Sequence, residues 1–228
     1  MSVLWTHCAP APFGLTLKVV LAMMLCQLIL GVGLAWLLSR PSLPGRLVWE
    51  GAISLPLVFP PIAIGFFLLL LLGRRGPLGH ILHDSLGVEV VFSPLGVYLA
   101  ALIAGLPLIV KPVQAAMETS AAELAEAAYV LGRGRIATFF LVVVPSVHAA
   151  ILTGLALAIG RALGEVGITL MLGGNIVGQT ETLSLAIYNR VLDGDFDCAT
   201  QLSLLLGGGS LLLFGLMQWL SRSRRQGG

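Results

Sequence analysis

Residues 51–72 read GAISLPLVFPPIAIGFFLLLLL, a run that is long enough to cross a membrane and contains no charged side chain. A spanning helix needs about 20 mostly apolar residues, because the hydrocarbon core is about 30 Å thick and each helical residue rises about 1.5 Å. Pro56, Pro60 and Pro61 interrupt the run. A proline inside a helix removes a hydrogen bond and clashes with the preceding turn, so this span is expected to be bent or broken.

In lipid, backbone groups freed by such a break are tolerated only against protein or a water-filled cavity. The Pro60-Pro61 pair is therefore expected to face the interior of the helix bundle, where it is a candidate for the translocation pathway or its gate. A simple proline kink without any contact to cargo is the alternative.

Four more stretches outside this run are apolar enough to span a membrane. The chain is 57% hydrophobic, only 11% of its 228 residues are charged, and its mean hydropathy is +0.97, whereas soluble domains are about 25% charged. The sequence predicts an all-α, polytopic membrane helix bundle with about five transmembrane helices, embedded in lipid as one domain over residues 1–228. The predicted spans are residues 15–38, 51–72, 94–110, 139–159 and 202–220.

The basic residues beside the spans predict the orientation, because Lys and Arg are retained preferentially on the cytoplasmic side. One side collects Arg40, Arg46, Lys111, Arg133, Arg135, Arg222, Arg224 and Arg225. The other side has Arg74, Arg75, Arg190, Lys18 and Arg161. This distribution predicts an external N-terminus and a cytoplasmic C-terminus. The net charge of +2 is too small to indicate a nucleic-acid partner.

The loop between the third and fourth predicted spans contains a short helix, predicted at residues 121–132. Ser120 followed by Glu123 forms a capping-box pattern, and Gly132 suits a left-handed residue just past a helix end. An isolated helix of this length is marginal in water, so it needs a surface on which to dock.

That short helix is expected to present an apolar face made by Leu124, Ala128 and Leu131, with Glu123 and Glu126 beside it. Its small side chains favour insertion into the groove of a partner. A helix that rests on the protein's own membrane face is the alternative.

The segment Glu126-Ala127-Ala128, with Gly132 four residues later and Val142-Val143-Val144-Pro145 beyond it, resembles the cytoplasmic "EAA" signature of type I ABC import permeases. In that family this segment is a coupling helix that enters a groove of the ATP-hydrolysing subunit. The resemblance implies that Leu124, Glu126, Ala127, Ala128, Leu131 and Gly132 form the contact with the ATPase.

Further segments are similar to the molybdate branch of these permeases, and sulfate and tungstate permeases share much of the pattern. They are residues 54–61, 73–79, 161–167 and 174–178, followed by Thr182-Leu183. The resemblance implies a permease homodimer in the inner membrane of a prokaryote. It also implies a dimer of ATP-binding subunits, an external oxyanion-binding protein, and molybdate as cargo.

Arg161 and Glu165 stand one helical turn apart, close enough for an i,i+4 ion pair. Counting from Pro145 along a helix is expected to place them toward the outer end of the fourth span. Charges inside a membrane usually face protein or water. The pair is therefore either an anchor within the bundle or part of the pathway or an outer gate.

Several other functions lack the residues that they require. The only lysines are Lys18 and Lys111, neither preceded by glycine, so no phosphate-binding P-loop is present and ATP hydrolysis is expected in another polypeptide. His80, His83 and Asp84 lack a convincing fourth ligand, so neither a metal site nor a cofactor is predicted. Cys8, Cys26 and Cys198 are interpreted as ordinary apolar residues. A channel or secondary transporter is the main competing class, and an intramembrane protease is a weaker one.

Overall fold

The computed structural model describes the backbone of residues 10–223 and the side chains of residues 12–219, and all its regular secondary structure there is helical. The predicted all-α fold class is confirmed. The α-helices are α1 Pro10–Cys26, α2 Val32–Leu38, α3 Arg46–Val58, α4 Pro61–Leu72, α5 Pro77–Leu86, α6 Pro94–Glu118, α7 Ala122–Val130, α8 Arg135–Thr138, α9 Val144–Ser146, α10 His148–Leu163, α11 Gly167–Gly173, α12 Leu183–Leu192 and α13 Phe196–Ser223.

Three continuous helical stretches are long and apolar enough to cross a membrane, and they span Pro12–Leu38, Pro94–Glu118 and Phe196–Trp219. The first joins α1 and α2 through a π-helical turn at Gln27–Gly31. Two bent helix pairs also pass the same test of length and composition, and they are Pro61–Leu72 with Pro77–Leu86 and Arg135–Ser146 with His148–Leu163. Helix α3 belongs to neither pair. Counting each pair as one span, the part of the chain that the structure describes has up to five spans.

The predicted second span, residues 51–72, is two helices rather than one. Helix α3 ends at Val58 and α4 begins at Pro61, with Phe59 (ψ 143°) and Pro60 (ψ 127°) in extended conformations between them. The expected break is therefore present. Its cause is local, because a residue that precedes a proline is driven out of the α-helical region, and here two consecutive residues precede prolines.

The predicted fourth span, residues 139–159, is also divided. Residues Arg135–Ser146 and His148–Leu163 form a pair bent by 71°, and a π-helical turn at Phe139–Val143 precedes Pro145. At the bend the His148 ring nitrogen Nδ1 lies 2.7 Å from the Pro145 carbonyl oxygen. Only the part from His148 onward runs straight alongside α6.

Helix α6 lies at the centre of the bundle, with α10 packed along it and the first span on another side. A Cβ at Gly154 of α10 would lie 2.9 Å from the Ile109 Cα, and one at Gly105 would lie 3.0 Å from the Ala158 carbonyl oxygen. The two backbones therefore approach closely through glycines, as in other membrane helix pairs. The buried Gln27 amide donates to the Leu102 carbonyl at 3.1 Å and joins the first span to α6.

The end of the bundle opposite α7 carries α5, α12 and the turn that follows α11. Thr182 caps α12, and the Leu183 backbone N–H donates to the Thr16 hydroxyl, so α12 is tied to the first span. Cys198, at the start of α13, is disulfide-bonded. This corrects its interpretation as an ordinary apolar residue. Cys26 is a free thiol, and Cys8 lies outside the described residues.

Candidate functional site

The short helix predicted at residues 121–132 runs from Ala122 to Val130 in the structure. Ala121 occupies its N-cap position and no side chain caps it, so the expected capping box with Ser120 does not form. Gly132 has a φ of +77°, as expected for a left-handed residue past the helix end, and an added Cβ would meet nothing within 4 Å. A side chain at Gly132 would therefore be opposed by backbone strain rather than by a neighbour.

The residues of α7 divide between two environments. Ala128 is buried at 6% exposure, whereas Leu124 is 49% and Leu131 82% exposed. Glu126 and Ala127 are exposed as well. The three apolar residues that were expected to share one exposed face therefore differ in environment. Ala128 packs against its own chain, whereas both leucines are exposed.

An apolar patch surrounds these open leucines on the surface of α7 and the turn after it. Tyr129 is 45%, Val130 88% and Ile136 71% exposed. Large apolar patches on a surface mark interaction sites when polar residues surround them. Beside the patch, a cavity of about 520 Å³ separates α7 from the end of the first span and is lined in part by Glu126, Arg40 and Tyr129. The arrangement can seat a partner protein.

The break in the second span is packed against the chain segment that follows α10. A Cβ at Gly167 would lie 2.9 Å from the Ile62 backbone nitrogen and 3.1 Å from the Pro61 Cβ. One turn along, a Cβ at Gly65 would lie 2.8 Å from the Met171 Cβ. Only glycine at these positions lets α4 and α11 approach so closely. Pro60 itself is exposed, and Pro61 is partly buried.

Beside Gly167 lies the predicted ion pair. Arg161 Nη1 and Glu165 Oε2 are 2.5 Å apart, and the side chains are 30% and 1% exposed. The contact is an ion pair without the alignment of a hydrogen bond. The other Glu165 oxygen, Oε1, accepts from the Ile168 backbone N–H at 2.8 Å and so supports the start of α11. Gly167 packs against Pro61 and follows Glu165 closely in the chain. The predicted pathway residues Pro61, Arg161 and Glu165 therefore lie in one region.

This region lies nearer the middle of the bundle than its outer end. Ala158 packs against Gly105, which is close to the midpoint of the 25-residue helix α6. Arg161 is three residues beyond Ala158, a rise of about 4.5 Å. Along the fourth span itself, Arg161 lies in the last turn of α10, which ends at Leu163, so the pair is at the end of the span to which the count from Pro145 assigned it.

A second charged cluster, at the α7 end of the bundle, was not predicted from the sequence. Arg46 lies 2.7 Å from Glu50 and 2.5 Å from Glu118, measured between guanidinium nitrogens and carboxylate oxygens. The Gln114 amide donates to both carboxylates, at 2.8 and 3.0 Å, and the Lys111 ammonium lies 3.8 Å from Glu50. The hydrogen bond from Arg46, followed by that from Gln114, lowers the pKa of Glu50. We call these five residues the basal network.

Only part of the basal network could have been found in the sequence. Arg46 and Glu50 form an i,i+4 pair, as do Gln114 and Glu118, and such pairs share a helix face. That the two faces meet depends on how α3 packs on α6, which spacing alone does not determine.

The opposite end of the bundle carries a separate group of charges. Arg74 Nε donates to Glu89 at 2.8 Å, and this hydrogen bond lowers the pKa of the Glu89 carboxyl. His80 pairs with Asp84 at 3.3 Å, while His83 lies 3.8 Å from Glu89. Across residues 12–219 no group of three His, Cys, Asp or Glu side chains is placed to hold a metal ion.

Residues 27–226 match the family described as "Binding-protein-dependent transport system inner membrane component". The chain is 36% identical over 213 residues to the molybdenum transport system permease protein ModB of Escherichia coli (strain K12), covering 93% of each chain. It is 34% identical to ModB of Azotobacter vinelandii over 94% of each chain. It is also 33% identical to the sulfate transport system permease protein CysT of Escherichia coli (strain K12), over 87% of this chain but 72% of that relative.

Proposed function

This chain belongs to the family of binding-protein-dependent transport system inner membrane components, and on that basis we propose that it is the permease subunit of an ATP-driven importer of molybdate. The members of this family are inner-membrane components of transport systems, and the family is not an enzyme family. The cargo proposal rests on one observation: the chain is 36% identical to the molybdenum permease of Escherichia coli and 33% identical to the sulfate permease of the same organism. Because the two identities are close, sulfate and tungstate are the alternative cargoes.

The energy source is a separate ATPase subunit, which docks on the exposed patch of α7. In support, the sequence has no P-loop, and α7 presents Leu124, Leu131 and Glu126 outward while Ala128 anchors the helix to its own chain. Apolar anchors beside an exposed carboxylate are what a short helix needs to dock in a groove. A pair of ATPase subunits would meet one such helix from each permease copy.

The second permease copy covers the break between α3 and α4, so that two copies form a homodimer around the pathway. Pro60 and Pro61 have no N–H, so the carbonyls four residues earlier lose their helical donors. Val58, beside these carbonyls, is 86% exposed on the single chain. Free backbone carbonyls cannot face lipid tails. A second copy, with a polar route for the anion between the two breaks, removes that conflict.

The orientation that fits this arrangement has the N-terminus outside and the α7 patch in the cytoplasm. The distribution of basic residues supports it. The disulfide at Cys198 supports it independently, because disulfides persist in oxidising compartments and are rare in the cytosol. An external oxyanion-binding protein would then deliver cargo to the end of the bundle that carries α5 and α12.

The transport cycle is alternating access. Closure of the ATPase dimer on ATP moves α7, the spans open outward to receive the anion from the binding protein, and hydrolysis returns them to the inward-open state. Arg161, which is 30% exposed beside the break, contributes positive potential to the route without being a strong ligand, because Glu165 already neutralises it. A route of weak binding lets a dianion leave as readily as it enters.

Uptake by the reconstituted complex tests the function. Proteoliposomes that hold this chain, its ATPase subunit and the binding protein should accumulate molybdate only when ATP is supplied, and unlabelled tungstate and sulfate measure the cargo preference. Uptake without ATP or an ATPase partner would indicate a channel or a secondary transporter. Stronger competition by sulfate than by unlabelled molybdate would favour the sulfate alternative.

Cysteine labelling tests the orientation in a chain that carries Cys26→Ala. Gly134→Cys adds a thiol where a Cβ meets nothing within 4 Å, and Ser85→Cys adds one at an exposed position of α5. In intact cells, a membrane-impermeant reagent should label Ser85→Cys and should reach Gly134→Cys only after the membrane is opened. The reverse pattern would contradict the proposed orientation.

Two substitutions in the α7 segment test the docking. Glu126→Lys reverses an exposed charge, and Gly132→Val places a β-branched residue at a φ of +77°, which costs about 1 to 3 kcal/mol locally. Together they should weaken ATPase binding and abolish uptake while the chain still inserts. Wild-type uptake by a double variant that inserts normally would refute the coupling role.

A further inference from the structure

The basal network joins two segments that are far apart in the sequence. Arg46 is the first residue of α3, and Glu118 is the last residue of α6. Their side chains lie 2.5 Å apart, and Gln114 donates to both Glu50 and Glu118. The network therefore connects the start of one helix to the end of another at the cytoplasmic edge of the bundle.

Each end of this connection leads to a part of the proposed transport machinery. Only residues 119–121 separate Glu118 from α7, the helix on which the ATPase is proposed to dock. In the other direction α3 runs from Arg46 to Val58 and ends at the break beside Pro60 and Pro61. One ion pair and the half-helix α3 therefore connect α7 with the break.

The half-helix α3 has little else that holds it to its own chain. Ile53 is its one buried residue, while Leu47 is 83% and Val48 74% exposed. By contrast α4, beyond the break, is packed against α11 through Gly65 and Gly167. The outer half of the second span is therefore fixed, and the inner half is attached mainly by its polar contacts at the base.

Two other roles for the basal network are less well supported. A cation site is disfavoured because Arg46 and Lys111 already neutralise Glu50 and Glu118. A purely stabilising role is disfavoured because the ion-paired side chains are 24 to 37% exposed, and ion pairs with this much solvent contact add little to stability. An ion pair that is specific but adds little stability is suited to hold α3 while still allowing it to move.

We propose that the basal network, through Arg46 and Glu118, is the positioning link that transmits the motion of α7 to the inner half of the broken span. This inference rests on the proposed function. Arg46 and Glu118 contact neither cargo nor nucleotide, and they act through the position of α3. When the link is absent, ATP hydrolysis continues but no longer moves α3 reliably.

The ratio of ATP hydrolysed to molybdate imported tests the link in the reconstituted complex with binding protein. Glu118→Gln keeps the shape of the side chain and removes its charge. Because Glu118 also lines the cavity beside α7, the ratio is measured on complexes purified with the ATPase subunit bound, and it should rise at least several-fold. Arg46→Gln should do the same. The double variant should be no worse than either single one, because residues that act as one unit have non-additive effects.

Two variants serve as controls. Arg46→Lys keeps a positive charge in the basal network and should retain most of the coupling between ATP hydrolysis and molybdate import. Thr119→Ala alters the residue next to Glu118, but the Thr119 hydroxyl bonds only the Ala115 carbonyl of its own helix, so the ratio should stay at the wild-type value. A general distortion of the fold would instead lower hydrolysis, uptake and assembly together.

A wild-type ratio of ATP hydrolysed to molybdate imported in both Glu118→Gln and Arg46→Gln would refute the link. Strictly additive effects of the two substitutions on this ratio would also refute it, as would a parallel loss of ATPase binding in both variants. Failure of the proposed function is seen separately, since the wild-type complex would then import no molybdate with ATP. If Glu118→Gln does not accumulate in the membrane, the ratios measured for Arg46→Gln and Arg46→Lys still compare the loss of the ion pair with its retention.

Discussion

The second and third spans both contain prolines, yet one is broken and the other is continuous. Helix α6 runs unbroken through Pro107 and Pro112 for 25 residues. The second span stops at Val58 and resumes at Pro61. The number of prolines therefore does not decide whether a span breaks.

The spacing of the prolines accounts for the difference. In α6 each proline follows an ordinary residue, and the helix around it is buried, with Ile109 and Val110 at 0% exposure. In the second span Pro60 itself precedes a proline, which disfavours its own helical conformation, and the flanking Phe59 is 42% exposed. A tandem of prolines breaks the helix, whereas a single proline is tolerated both in the buried α6 and at Pro56 within the more exposed α3.

The largest effect is expected at the ion pair beside the break. Arg161→Leu leaves the Glu165 carboxylate, 1% exposed, without its partner, and breaking a buried pair from one side costs about 3 to 5 kcal/mol. Stable protein and uptake should both be lost. Thermal unfolding in detergent measures the effect. The double variant Arg161→Leu with Glu165→Leu should recover much of the stability, and a double variant as unstable as the single one would show that the pair is not what stabilises this region.

A somewhat smaller effect is expected where α4 packs closely against the segment that begins α11. Gly167→Val pushes a side chain against the Pro61 Cβ and the Ile62 backbone, 3.1 and 2.9 Å from the added Cβ, and such overpacking costs about 1 to 3 kcal/mol. The melting temperature and the uptake rate should both fall. Gly160→Val is the matched control, because a Cβ there meets nothing within 4 Å. Equal losses in the two variants would contradict the close packing.

Closing the break should affect transport more than stability. Pro60→Ala with Pro61→Ala restores two backbone donors and allows one helix from Arg46 to Leu72, so the melting temperature should hold or rise. Uptake should fall roughly tenfold, since the inner half could no longer move independently of α4 and the barrier would rise by about 1.4 kcal/mol. Unchanged uptake would mean that the break is a kink with no role in transport.

The smallest effect is expected in the continuous helix. Pro107→Ala in α6 restores one backbone donor but removes buried ring contacts, so the two contributions offset each other. Stability should change by no more than about 1 kcal/mol, and uptake should stay within about twofold. A loss as large as that of the Pro60 and Pro61 double variant would show that α6 also depends on a proline to move.

Much of the site was accessible from the sequence because its signals are local. The Pro60-Pro61 tandem predicts the break, the four-residue spacing of Arg161 and Glu165 predicts their ion pair, and Gly132 predicts a left-handed residue; the structure contains all three. The capping box at Ser120 failed despite a fitting pattern. The turn residues before α7 fold onto the end of α6, with the Ala121 N–H donating to the Ala116 carbonyl.

The apolar runs by themselves determined that this chain is a helical membrane protein, because hydrocarbon requires every span to satisfy its own backbone. Composition and spacing could not determine which surfaces meet. The close contact of Gly167 with Pro61 and the ion pair of Arg46 with Glu118 both join residues more than 70 positions apart. Such contacts depend on how helices cross, and the crossing follows from where small residues let two backbones approach. Tertiary packing alone therefore placed Arg161 near the middle of the bundle and assembled the basal network.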